Sequence, residues 1–337
     1  MREQDIRPAD LLEQYLRLSR QDAVNYFPKP ENLPIGNCPG CNNAPDATIF
    51  LFEKNRFTLV ECENCHTIFV NPRPAPNQLN SFYKDSPSTE YWANTFFPSV
   101  ADARRELIFA PRARQILAMT KEITQTSPKS VVDVGAGYGI FLAELGRLLP
   151  KTVIRAVEPG IRLANQCRYL GFETFEGYAE EAVSDPSWKN SADLVTAFEV
   201  IEHLPDPFSF IVTLKQLTRP GGLIFLTGLC GDGFDIRMLG ARSNAISPPH
   251  HLTFLSQTGV RFLLERAGLE LVSFTTPGKL DVDIVKKAID ADTSLAIDPK
   301  ISGFLLKASD QELDGYQDQI ASECRSSHMW IVARRPV

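Results

Sequence analysis

The sequence of 337 residues has no apolar run long enough to cross a lipid bilayer, which excludes a membrane-spanning helix. It also has no excess of positive charge, because 35 lysines and arginines stand against 41 aspartates and glutamates, giving a formal net charge of −6. A negative chain is a poor match for a large phosphate-binding face, so nucleic acid is an unlikely partner. The first ten residues are too charged for a signal peptide, and we expect a cytoplasmic protein with no membrane partner.

Cysteine is sparse outside one region. Cys167, Cys230 and Cys324 are scattered and are expected to be plain thiols in a reducing compartment. The other four form two C-x-x-C pairs: Cys38, Cys41, Cys62 and Cys65. Two such pairs, with strand-like runs between them, predict a zinc ribbon in which four thiolates hold one structural zinc. Redox pairs or disulfides are the alternative.

A glycine-rich turn follows a strand of β-branched residues near the middle of the chain. Gly135, Gly137 and Gly139 remove the Cβ atoms that would keep a ligand away from the backbone. A dinucleotide site also uses glycines here, but its pattern places the third glycine at the position of Ile140. Asp133, which precedes the turn, suits a ligand with a sulfonium and an amino group better than a diphosphate.

The strand Val153–Glu158 ends in a carboxylate that can accept hydrogen bonds from both hydroxyls of a ribose. With the glycine turn, Ala192–Leu204 and Arg219–Thr227, it resembles, in order, the motifs of class I S-adenosylmethionine-dependent methyltransferases. The resemblance implies an α/β fold with a doubly wound, mostly parallel, seven-stranded Rossmann-like sheet. The small zinc ribbon would precede that sheet.

The resemblance also implies where S-adenosylmethionine binds. Asp133 and the glycine turn would hold the methionine part, Glu158 the ribose, and the end of the fourth strand the floor of the site. Many family members have an aspartate at the position of Tyr178, so the adenine contact expected there departs from the family pattern. The implied cofactor-binding residues are Asp133, Gly135, Ala136, Gly137, Gly139, Glu158, Tyr178, Ala179, Phe198 and Glu199.

Three histidines are candidates for the base that removes a proton from the acceptor: His203, at the end of the fourth-strand motif, and His250 and His251, in a loop after the fifth strand. The histidine pair could instead only order its loop. Glu199, Glu202 and His203 also resemble a metal-linked run in ubiquinone-pathway O-methyltransferases, so a divalent cation there is a further alternative.

The chain is expected to divide into six segments. The helical connector, residues 77–128, would act as a lid in which Tyr83 or Tyr91 touches a ligand, unless its aromatic residues only attach the ribbon to the core. The helical insertion, residues 276–327, would lie over the carboxyl ends of the strands and help to select the substrate. The segments are an N-terminal helix and linker (1–34), the zinc ribbon (35–76), the helical connector (77–128), the methyltransferase core (129–275), a helical insertion (276–327) and the last core strand (328–337).

The layout also resembles a bacterial group in which a zinc ribbon and a segment such as Asn71–Pro74 precede the methyltransferase core. That group is associated with sugars, polysaccharides and secondary metabolites. We therefore expect methyl transfer from S-adenosylmethionine to a small-molecule acceptor, in line, with a histidine as base. An RNA methyltransferase that uses the ribbon to grip RNA, and a non-catalytic interaction module, are the alternatives. His328, beside the last strand, is expected to be structural.

Overall fold

A computed structural model describes residues 2–337, and its strands form two sheets, one of seven strands and one of four. The strands are β1 Thr48–Lys54, β2 Phe57–Cys62, β3 Ile68–Val70, β4 Ser130–Val134, β5 Val153–Glu158, β6 Glu173–Glu176, β7 Ala192–Phe198, β8 Thr218–Leu229, β9 Thr253–Phe254, β10 Glu270–Thr275 and β11 His328–Arg334.

Helices surround both sheets, and none of those described is both long enough and apolar enough to cross a membrane. They are α1 Glu3–Ile6, α2 Ala9–Tyr26, α3 Pro76–Asp85, α4 Pro87–Tyr91, α5 Phe97–Arg104, α6 Ala110–Thr124, α7 Ile140–Leu148, α8 Ile161–Tyr169, α9 Ala179–Ala182, α10 Pro207–Leu217, α11 Phe234–Leu239, α12 Gln257–Arg266, α13 Asp281–Ala291, α14 Pro299–Lys307 and α15 Asp310–Ser322.

The seven-stranded sheet has the order β10-β11-β8-β7-β4-β5-β6. The pairs from β8 to β6 are parallel, and β11 runs antiparallel to both of its neighbours. In β4, Val131 and Val132 belong to different buried clusters, because successive side chains of a strand point to opposite faces. The predicted fold, a doubly wound and mostly parallel seven-stranded sheet, is confirmed.

The smaller sheet joins the ribbon to the core. Its hairpin turn has Asn55 and Arg56 at φ +49° and +72°, the backbone that a two-residue hairpin favours. Its order is β1-β2-β3-β9, and β9 comes from the loop that follows β8, far along the chain. The ribbon sheet is therefore completed by two residues of the methyltransferase core, Thr253 and Phe254.

The first cysteine knuckle packs directly on α12. A Cβ atom on Gly40 would lie 3.0 Å from the Cα of Gly259, and one on Gly259 would lie 2.2 Å from Thr67 Oγ1. Gly40 is thus favoured by the close approach of the Gly259 backbone, and Gly259 by the close approach of the Thr67 side chain. Arg266 Nη1 donates to the carbonyl of Gly40 at 3.0 Å, which fixes the knuckle on the end of the same helix.

The helices that precede the core cover the glycine turn. Pro87 to Thr124 is helical throughout and includes two π-helical turns, Trp92–Phe96 and Arg105–Phe109. Phe97 stacks on Tyr138 of the glycine turn, with ring centroids 4.6 Å apart and planes within 2° of parallel. This contact places the connector over the turn.

The insertion begins after β10 and ends before β11, both at the carboxyl edge of the parallel strands. It packs on α11 through a buried cluster that includes Phe234, Val285 and Leu313. The N-terminal α1 lies against it, since the backbone N–H of Glu3 donates to Asp283 Oδ2 at 3.0 Å.

Two buried carboxyl groups meet where the insertion contacts the sheet. Asp235 and Asp281 are each 1% exposed. Asp281 accepts hydrogen bonds from Ser326 Oγ at 2.5 Å, Gln317 Nε2 at 3.0 Å and the N–H of Ser327 at 2.7 Å. Burial, reinforced by the charge of Asp281, raises the pKa of Asp235 to about 7. The carboxyl of Asp235 therefore releases its proton only near neutral pH.

Asp235→Asn should stabilise the protein in a pH-dependent way. The folded carboxyl retains a proton that the unfolded chain releases, so wild-type stability falls as pH rises from about 4 to about 7. We expect the substitution to raise the free energy of unfolding by roughly 1–3 kcal/mol at pH 8 and to change it little at pH 4. Urea unfolding at both pH values measures the difference.

Asp281→Asn is the matched control, because it would turn an amide donor toward groups that already donate. It should destabilise at both pH values. An effect of Asp235→Asn that is the same at pH 4 and pH 8 would contradict the assignment.

Candidate functional site

The glycine turn after β4 leaves an open space at the carboxyl edge of the sheet. Gly135, Gly137 and Gly139 all adopt positive φ, at +72°, +55° and +70°. A Cβ atom on Gly135 would lie 2.8 Å from Val200 Cγ2, whereas one on Gly137 would meet no atom within 4 Å. The turn therefore needs glycine for its backbone, and at Gly137 it offers room for a ligand to approach.

Glu158, at the end of β5, is held against this turn. Its Oε2 accepts from the N–H of Gly137 and its Oε1 from that of Gly160, both at 2.8 Å. Burial raises the pKa of Glu158, while the two N–H donors oppose that shift. Each carboxylate oxygen retains a second lone pair, so this fixed group can accept hydrogen bonds from two adjacent hydroxyls.

Asp133 is a buried carboxyl group on β4, the strand that neighbours the Glu158 strand β5. It is 3% exposed, and its Oδ1 accepts a hydrogen bond of 2.6 Å from Thr196 Oγ1 on β7. Burial raises its pKa to about 7. A ligand with a positive charge nearby would hold it ionised, which is the chemistry that a sulfonium and an amino group supply.

The other predicted cofactor residues lie along the same edge. Ala136 is part of the glycine turn, and Ala179, 3% exposed, lies in α9 directly after β6. Tyr178 is 43% exposed and donates from its hydroxyl to Asn80 Oδ1 at 3.0 Å. Phe198, at the end of β7, packs edge-on against Phe141 with centroids 4.7 Å apart. The parallel topology thus brings the ends of four strands together.

Glu199 is the centre of a charged cluster. It has φ +53°, and its Oε1 accepts from Thr227 Oγ1 at 2.7 Å, His328 Nε2 at 2.8 Å and Arg112 Nη2 at 3.3 Å. Burial alone would raise its pKa, but His328 and Arg112 lower it well below the usual value. The side chain remains 40% exposed, so it faces an accessible space.

Sequence reasoning missed two members of this cluster. Arg112 lies in α6 with a side chain only 5% exposed, and nothing in its helix marks it as functional. His328 was expected to be structural, yet it begins β11 at the carboxyl edge, paired opposite Leu229. The signal for His328 was topological: a last strand that runs antiparallel starts where the parallel strands end.

The expected alternative of a divalent cation at Glu199, Glu202 and His203 receives no support from the geometry. Within residues 2–337, the one group of ligand atoms close enough to hold a metal is the cysteine quartet. Glu202 is 2% exposed, and its Oε2 has no hydrogen-bond partner in the described chain. Burial and the charge of Glu199 raise the pKa of Glu202 well above its usual value, which favours the neutral form of its carboxyl.

His203 is held in one tautomer. Its Nδ1 lies 2.8 Å from the carbonyl oxygen of His250 and 3.1 Å from Tyr83 Oη, while Tyr83 Oη donates to that same carbonyl at 3.0 Å. Because a carbonyl oxygen only accepts, this geometry assigns the proton to Nδ1 and leaves a lone pair on Nε2. Burial lowers the pKa of His203, which favours the neutral ring.

The other two candidate histidines are each held by one ring nitrogen in the loop before β9. His250 is 3% exposed with Nε2 2.9 Å from Ser88 Oγ, and His251 has Nδ1 2.5 Å from the carbonyl of Ala245. Burial lowers the pKa of His251 to about 3 and that of His250 well below its usual value. His203 and His251 are each bonded through Nδ1, which leaves a lone pair on Nε2, and His203 is the one that follows the end of β7.

The four predicted zinc ligands converge. The Sγ atoms of Cys38, Cys41, Cys62 and Cys65 lie within 4.8 Å of one another. Two pairs of these sulfurs are 3.5 Å apart, far longer than a disulfide and close to the roughly 3.8 Å between sulfurs around a tetrahedral zinc. His66 is 62% exposed and contacts Glu61, so it is not a fifth member of the cluster.

Relatives of this chain are methyltransferases. The ubiquinone biosynthesis O-methyltransferase of Xanthomonas euvesicatoria pv. vesicatoria (strain 85-10) is 29% identical over 149 residues, which cover 42% of this chain and 62% of that protein. The protein of the same name from Salmonella arizonae is 31% identical over 109 residues, which cover 31% of this chain and 44% of that protein. The chain thus spans less than two thirds of the length of these relatives.

Among solved structures, the plantazolicin methyltransferase BpumL, in complex with a pentazolic desmethylPZN analog and SAH, matches with a TM-score of 0.50. The identity is 13%, and the match covers 77% of this chain and 94% of that chain, so it shows a shared fold. A family model described as a methyltransferase domain matches residues 103–274, more than half of the chain. The chain therefore belongs to the methyltransferase domain family, as its resemblance to class I S-adenosylmethionine-dependent methyltransferases predicted.

Proposed function

We propose that the protein transfers a methyl group from S-adenosylmethionine to a small-molecule acceptor, with His203 as the base. The observation that carries this proposal is the arrangement at the carboxyl edge of the sheet. An open glycine turn with a fixed carboxylate, Glu158, lies on one side, and a neutral histidine with an unprotonated Nε2 lies beyond the end of β7.

The residues at the glycine turn fit S-adenosylmethionine. Glu158 would accept from the ribose hydroxyls, and Asp133 would face the positively charged methionine part. Gly137 would let that part approach the backbone, and Tyr178 with Ala179 would border the adenine. When bound, S-adenosylmethionine supplies an electrophilic methyl group on a sulfonium centre.

The residues beyond β7 would act on the acceptor. His203 Nε2 would take the proton of the attacking group, while Nδ1–H remains bonded to the carbonyl of His250. Tyr83 holds that carbonyl from the other side and so fixes the ring. A base positioned in this way contributes about 10²–10⁴ in rate. His250 and His251 would position the loop.

The charges of the ribbon favour a small-molecule acceptor over RNA. The ribbon's cations are used within the chain: Lys54 Nζ donates to the carbonyl of Ser243 at 2.6 Å, and Arg56 Nη2 to that of Pro28 at 2.7 Å. Few positive charges are left to contact phosphates. The relatives named for ubiquinone biosynthesis favour a small metabolite, and the resemblance to the bacterial group with a zinc ribbon favours a sugar-containing or secondary-metabolite acceptor.

The zinc of the ribbon would be structural. Four sulfurs leave no coordination position for a substrate, and the cluster lies in a module that shares a sheet with the core. Its role would be to hold β3 in place, so that β9 and the histidine loop before it are supported.

The function is tested by incubating the protein with S-adenosylmethionine labelled in its methyl group and with fractionated cell extract. Label in low-mass metabolites is the expected result, and label in a nuclease-sensitive fraction would assign the activity to RNA instead. Glu158→Gln serves as the blank, because its amide NH₂ would place a hydrogen-bond donor against the N–H of Gly137 or Gly160, which also donates.

Glu158→Ala should weaken the binding of S-adenosylhomocysteine by about 10–100-fold, since it removes the acceptor for the ribose and frees two N–H groups of the turn. Isothermal titration calorimetry measures the loss. The control is Glu173→Ala, an exposed carboxylate at the opposite end of the next strand, which should bind as wild type does. Equal affinity in Glu158→Ala would refute the cofactor site.

His203→Asn should lower kcat by about 10²–10⁴ without changing the affinity for S-adenosylhomocysteine. The asparagine amide can still donate to the carbonyl of His250, but it cannot take a proton. Because burial lowers the pKa of His203, the acid limb of the wild-type rate profile should lie below the ordinary histidine value and vanish in the variant.

Tyr83→Phe is the companion variant of His203→Asn. It keeps the proposed base but removes the hydrogen bond from Tyr83 Oη to the carbonyl of His250. It should therefore reduce kcat less than His203→Asn does and retain the acid limb of the rate profile. A His203→Asn enzyme with kcat within a few-fold of wild type would exclude the imidazole as base.

Purified protein should contain about one zinc ion per chain by elemental analysis. Cys62→Ser should lose the metal and lower the thermal midpoint by several degrees, because a ligand and a buried residue of β2 change together. Cys324→Ser, outside the quartet, is the control and should retain the zinc. Wild-type protein without zinc would overturn the ribbon assignment.

A further inference from the structure

Arg104 brings a positive charge to the acceptor side of the site without an ion-pair partner in the described chain. It is the last residue of α5, and its Nε is buried with no hydrogen-bond partner. Its neighbour Arg105, by contrast, donates from Nε to Glu144 Oε1 at 2.6 Å. An unpaired cation in such a position is costly, and costly charges of this kind are concentrated at binding sites.

Aromatic rings orient the Arg104 guanidinium. Its Cζ lies 5.6 Å from the ring centroid of Trp92 and 5.5 Å from that of Phe97. A planar guanidinium that rests on aromatic faces keeps its N–H donors at the edges, where they can bind a ligand. The side chain is therefore held in place while its hydrogen-bonding capacity is left free.

The same rings locate Arg104 between the two halves of the site. Phe97 stacks on Tyr138 of the glycine turn, with centroids 4.6 Å apart. Trp92 contacts Tyr15 at 5.2 Å, and Tyr15 contacts His250 at 5.4 Å, both between ring centroids. Arg104 thus lies between the turn that would hold the cofactor and the loop beside His203.

Positive charge exceeds negative charge at this place. Burial, followed by the charge of Arg7, lowers the pKa of Arg104 to about 10, and Arg112 acts in the same direction. Arg112 Nε is a second buried donor without a partner in the described residues. Glu199 opposes these charges and Glu3 Oε1 lies 4.0 Å from Arg7 Nη1, while burial raises the pKa of the Glu202 carboxyl well above its usual value. An anionic ligand would restore the balance.

We propose that Arg104, with Arg7 beside it, binds an anionic group of the acceptor, either a phosphate or a carboxylate. Both oxyanions match the forked donors of a guanidinium. The α1 helix that precedes Arg7 packs against α5, which places the N-terminal segment in the wall of the acceptor site. The inference rests on the proposed function, because that function defines this side as the acceptor side.

The test is calorimetric titration of the full chain, saturated with S-adenosylhomocysteine, with inorganic phosphate and separately with malonate at constant ionic strength. One of the two anions should bind with a dissociation constant on the order of 1 mM, and the stronger one identifies the class of group. Arg104→Gln should weaken that binding at least about ten-fold, and Arg104→Lys should restore part of it.

Arg114→Gln is the matched control, since Arg114 is an exposed arginine of the adjoining α6 and should leave anion binding unchanged. If Arg104→Gln does not fold, Arg7→Gln replaces it and should show a several-fold loss. Equal anion binding in wild type and the Arg104 or Arg7 variant, or no saturable binding of either anion to wild type, overturns the proposal. Failure of wild type to bind S-adenosylhomocysteine would instead refute the proposed function, and anion binding is then measured without it.

Discussion

A short strand pairing supports both the ribbon and the acceptor side of the site. Thr253 and Phe254 of β9 pair with β3 of the ribbon. Just before them, the N–H of Leu252 donates to the carbonyl of Glu202 at 2.8 Å, and the carbonyl of Leu252 accepts from the N–H of Val70 at 2.9 Å. One residue therefore connects the ribbon to the turn that carries His203. The cluster of four cysteines lies at one end of this connection, and the proposed base lies at the other.

Burial sets the charge state of most groups around this connection. It raises the pKa of Asp133 to about 7, lowers that of His251 to about 3, and raises that of Glu202 well above its usual value. Glu199 differs because it contacts a cation and a histidine directly. The site therefore combines neutral histidines, which can accept a proton, with fixed arginines, which can attract an anion.

The sequence predicted the features that depend on neighbouring residues. The alternating valines of β4, the glycine turn and the spacing of the cysteines each give their structure through local geometry. Glu158 was a candidate because it ends a strand at a known distance from the turn, and it does lie against that turn. The fold class followed from the order of these elements.

Features that depend on distant parts of the chain could not be predicted in this way. The ribbon was expected to end at residue 76, but its fourth strand comes from Thr253–Phe254, and a two-residue strand carries no pattern of its own. Arg104, Arg112 and His328 lie on helices and strands that meet only in the folded protein. Their sequence contexts are those of ordinary surface or strand residues. The site residues brought together by parallel strand ends were predictable, and those supplied by the covering helices were not.

The position of β11 affects how the chain can fold during synthesis. Residues 328–334 insert between β8 and β10, and β11 also carries His328 to the charged cluster. Until this strand is made, β8 and β10 cannot share a sheet, and each has an unpaired edge beside apolar residues. An emerging chain can pair the first three strands of the ribbon and the strands from β4 to β8, but it exposes an unpaired sheet edge near the site. Folding factors that shield strand edges would therefore matter most for this protein in the interval between synthesis of β8 and of β11.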